Sequence, residues 1–175
     1  MAAFTVIDHT ELTGDAATYN VTSIASSYDH LYLSASMKHD RATTGLEVVR
    51  LQFNGSTTAA DYNCTWILAN DGTITSSREG GTDPGPRVAY VPTDHADYTD
   101  TFANMTVWVP HYANSTNFKQ VAARCGSPSA STTQTLLLAA GLWESTDAID
   151  EVELTTYSGN FVQYSTFTLY GVTGA

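Results

Sequence analysis

The stretch His30-Leu31-Tyr32-Leu33-Ser34-Ala35-Ser36-Met37-Lys38 alternates strictly, with Leu31, Leu33, Ala35 and Met37 on one side and Tyr32, Ser34 and Ser36 on the other. A period of two is that of a β-strand, and a single apolar side predicts one face against a core. Outward from it, Glu47 to Phe53 sets Val49, Leu51 and Phe53 against Val48, Arg50 and Gln52, and Asn54-Gly55 supplies residues that tolerate positive φ. Asn63 to Ala69 and Thr73 to Ser77 flank Asn70-Asp71-Gly72, the signature of an antiparallel hairpin. Ser76 to Pro86 reads as a surface loop because of its glycines and prolines, and Pro92 to Asp100 as an irregular acidic stretch.

The second half repeats the pattern. Phe102 to Val109 places Met105, Val107 and Val109 on one side; Lys119 to Cys125 reads as a strand, Gly126 to Thr132 as a Ser-rich loop, and Thr133 to Trp143 as an apolar strand. Leu136, Leu137 and Leu138 break the alternation, which makes Leu137 a candidate sheet-crossing position. Ser145-Thr146-Asp147 is a candidate cap for one helical turn, Val152 and Leu154 alternate again, and Ser158-Gly159-Asn160 turns the chain into Phe161 to Val172. Roughly ten strands without a long helix predict an all-β fold, an antiparallel two-sheet β-sandwich, jelly-roll-like, in a single domain over residues 1–175.

Composition supports this. Ser and Thr number 42 and only 14% of residues are charged, so hydroxyls build the polar surface and helix-favouring Lys, Glu and Gln are scarce. Seven Lys and Arg against 18 Asp and Glu give a formal charge of -11, a field that repels phosphate and anionic lipid headgroups; no nucleic-acid and no membrane partner is expected. Cys64 and Cys125 are expected as packed, reduced thiols of a protein made in a cytoplasm, since no basic and apolar leader opens the sequence.

Catalytic signatures are missing. His9, His30, His39, His95 and His111 form no metal spacing, and there is no nucleophile elbow, phosphate-cradling glycine loop or Cys-x-x-Cys; no enzyme activity and no cofactor is expected. Asp94, Asp97 and Asp100 gather oxygen ligands in one loop, read first as a solvated acidic loop and second as a calcium site. Trp108 lies between inward-pointing Val107 and Val109, which sends its indole to the opposite face; with His111 and Tyr112 just beyond, it marks the candidate contact surface.

Tyr28-Asp29-His30-Leu31-Tyr32-Leu33-Ser34-Ala35 through Arg41, Val49-Arg50-Leu51-Gln52-Phe53-Asn54-Gly55, Val109 through Lys119, Gly141-Leu142-Trp143, Ile149 to Leu154, Ser158-Gly159-Asn160-Phe161 and Phe167-Thr168-Leu169-Tyr170-Gly171 follow one another in an order that resembles a domain recurrent in bacteriophage virion proteins. His111 and Glu144 depart from the residues common in that family. The resemblance covers nearly the whole chain and implies a structural part of the virion, without a common catalytic set. A capsid decoration (cement) protein, associating as a homotrimer on the major capsid protein, is the expectation, because the sequence carries no shaft repeat or coiled coil. Met1 to Thr10 or Thr173 to Ala175 is expected to touch a neighbouring subunit or the capsid shell. The alternative is a tail or fibre module that recognises host surface carbohydrate through its exposed aromatics.

Overall fold

The strand that opened the reading is β3 (His30–Met37), and its four apolar side chains are at most 4% exposed. Around it the computed structural model, which describes residues 3–43, 45–98, 100–129 and 134–174, arranges eleven more strands. They are β1 (Ala3–Glu11), β2 (Thr18–Val21), β4 (Leu46–Phe53), β5 (Tyr62–Asn70), β6 (Thr73–Gly80), β7 (Arg87–Pro92), β8 (Ala103–Pro110), β9 (Lys119–Ser127), β10 (Thr135–Trp143), β11 (Val152–Thr156) and β12 (Thr166–Thr173). No α-helix occurs among the described residues, and none is long and apolar enough to cross a membrane.

Two antiparallel sheets result: one of eight strands in the order β1-β12-β3-β8-β9-β10-β5-β6, and one of four in the order β2-β11-β4-β7. Strands β1, β12, β3 and β8 lie in the large sheet, and β2, β11, β4 and β7 repeat the same order in the small one. The chain therefore crosses between the sheets at every connection except β5–β6, β8–β9 and β9–β10, which is jelly-roll winding. The hairpins β5–β6 and β9–β10 are inserted between crossings and extend the large sheet beyond β8. The fold is an all-β antiparallel two-sheet sandwich. Its core is one cluster, in which Phe53 packs on Trp143 with ring centroids 5.6 Å apart and Tyr19 stacks on Phe167 at 4.6 Å.

Local chemistry explains the turns. Asp71 and Gly72 take φ of 48° and 79°, the double left-handed conformation whose twist matches a two-residue hairpin. Gly85 has φ of 121°, and a Cβ there would lie 2.3 Å from the carbonyl oxygen of Leu51, so the chain can close over β4 only with glycine.

Several expectations change. Ser76 to Gly80 belong to β6 rather than a loop, because the run of breakers starts only at Gly81 and Arg78, Glu79 and Gly80 pair with Thr65, Cys64 and Asn63. Ser145-Thr146-Asp147 starts no helix; the Ser145 hydroxyl accepts the Asp147 N–H, and the Thr146 carbonyl accepts from Lys119. Leu137 does not cross between sheets, since β10 alternates without interruption. Strand β12 begins at Thr166, and Phe161 contributes only isolated bridges to Ala16 and His39. Residues 130–133 of the Ser-rich segment lie outside the described residues, as do Met1, Ala2 and Ala175. The remainder of the amino-terminal segment is β1, which is tied within the molecule to β12.

Candidate interaction face

The small sheet covers one face of the large sheet and leaves the other open. Pairing register fixes what the open face carries. Tyr170 stands opposite Tyr32, Tyr32 opposite Trp108, Trp108 opposite Ala122, and Ala122 opposite Ala140, so one row of side chains crosses five strands. The Tyr32 ring lies 6.0 Å from Tyr170 and 6.5 Å from Trp108. Phe4, 57% exposed on the edge strand β1, meets Tyr32 and Tyr170 edge-on at 5.6 and 5.9 Å. His30 packs 4.9 Å from Trp108 and accepts the His111 N–H on Nδ1 at 3.1 Å. The His111 ring in turn meets His30 edge-on at 4.8 Å, so a histidine pair borders the indole on one side.

The other half of the face is aliphatic. Leu136, Leu138 and Ile67 are each about half exposed and Ile74 is 74% exposed, all on neighbouring strands β10, β5 and β6. Shallow depressions run between the halves, floored by Ala122 and Ala140. Arg124 rises between them, its Nε donating to Thr106 Oγ1 at 2.8 Å. Among strand residues that alternate onto this face, Arg78 and Arg124 are the cations and Glu11, at a corner, is the one carboxylate. Just off the strands, the Glu144 carboxylate accepts from Asn63 Nδ2 at the edge of this face.

The sequence candidates divide. Trp108 is half-buried on the open face and His111 is exposed beside it, adopting φ of 49°. Tyr112 does not reach that face: it is 0% exposed and its hydroxyl donates to the Ala25 carbonyl, because the left-handed backbone at His111 turns the chain inward after Pro110. In the acidic loop, Asp94 pairs with Lys38 at 2.7 Å, Asp100 is exposed, and the side chain of Asp97 lies outside the described part. Among the described residues no three His, Cys, Asp or Glu converge as metal ligands. Cys64 and Cys125 are free and buried, and burial pushes both thiols up, Cys125 to about 12.

A second polar cluster has no counterpart in the sequence reading. Arg50, 3% exposed, bonds Glu79 at 3.0 Å, Asp83 at 3.0 Å, the Gly85 carbonyl at 2.9 Å and the Tyr157 hydroxyl at 2.7 Å. Arg87 shares Glu79 and stacks between Trp66 and Tyr90 at 4.7 and 4.8 Å. Two cations meet two carboxylates in a closed space, so the cluster fastens β6 and residues 81–86 to β4 rather than holding a ligand. Lys119 plays a similar part at the other end: its Nζ donates to the Asn117 and Thr146 carbonyls at 2.9 and 3.0 Å, and burial lowers its pKa.

No protein-family model and no curated protein matches the chain. Among solved structures, alginate lyase vAL-1 from Chlorella virus is 8% identical with a TM-score of 0.25, over 93% of this chain and 89% of that one. The SPRY domain of human HERC1 is 10% identical with a TM-score of 0.26, over 89% and 99%. Likenesses at these scores carry no argument about activity; the strand order and the composition of the open face stand on their own.

Proposed function

We propose that this chain is a non-enzymatic structural protein of a bacteriophage particle, a decoration (cement) protein that binds the outer surface of the head and stabilises it. The phage setting rests on the sequence resemblance. The observation that supports an assembly role is the sorting of side chains over the jelly roll, with apolar and aromatic groups concentrated on an open sheet face from which carboxylates are almost excluded. Such a face is covered in the working state, and the acidic remainder keeps many copies soluble until they assemble. Its partners in this reading are further copies of itself and the major capsid protein. The test adds purified protein to phage heads that lack it: saturable binding and slower head rupture on heating are expected, and absence of binding refutes the reading.

The second reading, a tail or fibre module for host surface carbohydrate, is favoured by the Tyr170–Tyr32–Trp108 row with Arg124 beside it. It predicts polysaccharide binding that Trp108→Ala abolishes. Wild-type protein that binds no polysaccharide from the host surface removes it.

A further inference from the structure

We infer that the open face of the eight-stranded sheet closes on the same face of a second copy, making a twofold dimer in which Ile67, Leu136 and Leu138 are buried. The inference deepens the assembly reading above and rests on it for its biological setting. Pairing of identical faces is isologous, so the unit in solution is twofold in place of the threefold association expected from the sequence.

Three observations lead to a second copy as the occupant. The first is size. Eight strands spaced ~4.8 Å apart, with eight or so residues rising ~3.3 Å each, present a face of about 1,000 Å². A standard interface needs about 800 Å² per partner. The second is composition. Phe4, Val6, Ile67, Ile74, Leu136 and Leu138 are 50–74% exposed here, while Leu137, Cys64 and Leu68, from the opposite side of β10 and β5, are at most 8% exposed. Two such faces stack at the spacing of sheets in a sandwich, with apolar groups meeting apolar groups.

The third is charge. Each copy carries -11, so any contact between acidic surfaces is repulsive, and the face with Glu11 as its one strand carboxylate is where two copies approach at least cost. Face-to-face stacking points the acidic loops and the small sheets outward, where water and salt screen them and where the shell can be met. This predicts a salt dependence of definite sign. The contact itself is apolar and the remaining long-range term is repulsion between like-charged bodies, so added salt strengthens association. An acidic ligand held by Arg124 gives the opposite sign.

The experiment is sedimentation equilibrium of the full chain at low and high sodium chloride. The wild type is expected at twice its 18.8 kDa, with tighter association at high salt. Leu138→Glu and, separately, Ile67→Ser are expected to weaken association about tenfold or more, the loss typical of a central interface residue. Arg124→Ala is expected to leave it unchanged or tighter. Both apolar positions are half exposed, and unchanged thermal melts of the variants separate lost association from misfolding. A wild type that stays monomeric at its highest soluble concentration overturns the inference. So does a dimer that both variants leave intact, or one that high salt dissociates. A monomer whose Trp fluorescence responds to polygalacturonate also overturns it and assigns the face to an acidic glycan. Failure here leaves head binding untouched, and a dimer that binds no heads defeats the virion reading alone.

Discussion

Leu138 on β10 stands opposite Ile67 on β5, and the two side chains are 51% and 50% exposed, whereas the adjacent pair Leu137 and Leu68 is 1% and 8% exposed. One pair of neighbouring strands therefore carries large aliphatic side chains on both faces. On the inner face they meet the small sheet and the core; on the outer face none of the described residues covers them. Strands buried on both sides read as continuous apolar runs, and Leu136-Leu137-Leu138 is such a run in a monomer that covers only one side.

The two sides should answer differently to truncation. Leu137→Ala removes a buried side chain and leaves a cavity, costing about 2–5 kcal/mol. Leu138→Ala should fall within about 0.5 kcal/mol under conditions where the protein is monomeric. Urea unfolding of both variants checks this, and equal losses would mean that Leu138 is core.

Glu79 joins Arg50 and Arg87, and both guanidinia are largely enclosed. Glu79→Ala leaves two buried cations with one carboxylate, Asp83, near Arg50, a loss of about 3–5 kcal/mol. Denaturation should show that loss, together with faster proteolysis within residues 81–86, the segment this cluster fastens. A variant as stable as wild type would show that the cluster is not what holds the edge.

Burial and the neighbouring Glu151 raise the pKa of Glu153. The folded protein then holds this proton more tightly than the unfolded chain, so stability falls as pH rises from the ordinary glutamate value through the raised one. Glu153→Gln should raise stability at pH 7 by a few tenths of a kcal/mol, since the site is well hydrated, and should change nothing below about pH 4. Thermal melts across pH give the sign; a destabilised variant at pH 7 contradicts it.

Cys64 and Cys125 are buried with raised thiol pKa values, and a buried neutral thiol is a poor nucleophile. Neither should react with a thiol reagent at pH 8 in the folded protein, and both should react at once in denaturant. Rapid labelling of the native protein would place a cysteine at the surface.

The parts legible in the sequence were those with one wet and one dry side. β3 and β8 declare themselves because serine, threonine and asparagine alternate with buried aliphatics. β1 escaped notice: its apolar residues Phe4 and Val6 face outward and a register shift between Val6 and Asp8 interrupts its pairing, so its pattern matches no core strand. β2 is only four residues long, and β7 lies between Pro86 and Pro92. Parity identifies Trp108, whereas Tyr112, grouped with it because it lies just beyond in sequence, is turned inward by the positive φ at His111. The Arg50 cluster was invisible: its partners Glu79, Asp83 and Tyr157 lie 29 to 107 residues away, and the loop that brings them together is irregular. The open face is a property of eight strands in register, which local alternation does not encode.

The proposed head-decoration role is tested by the stoichiometry of this chain in purified particles of a phage whose genome carries its gene, measured by quantitative mass spectrometry against the major capsid protein. A fixed ratio to the shell subunit is expected, with the protein recovered on heads separated from tails. Its absence from the particles, or a few copies that travel with the tail, would contradict it.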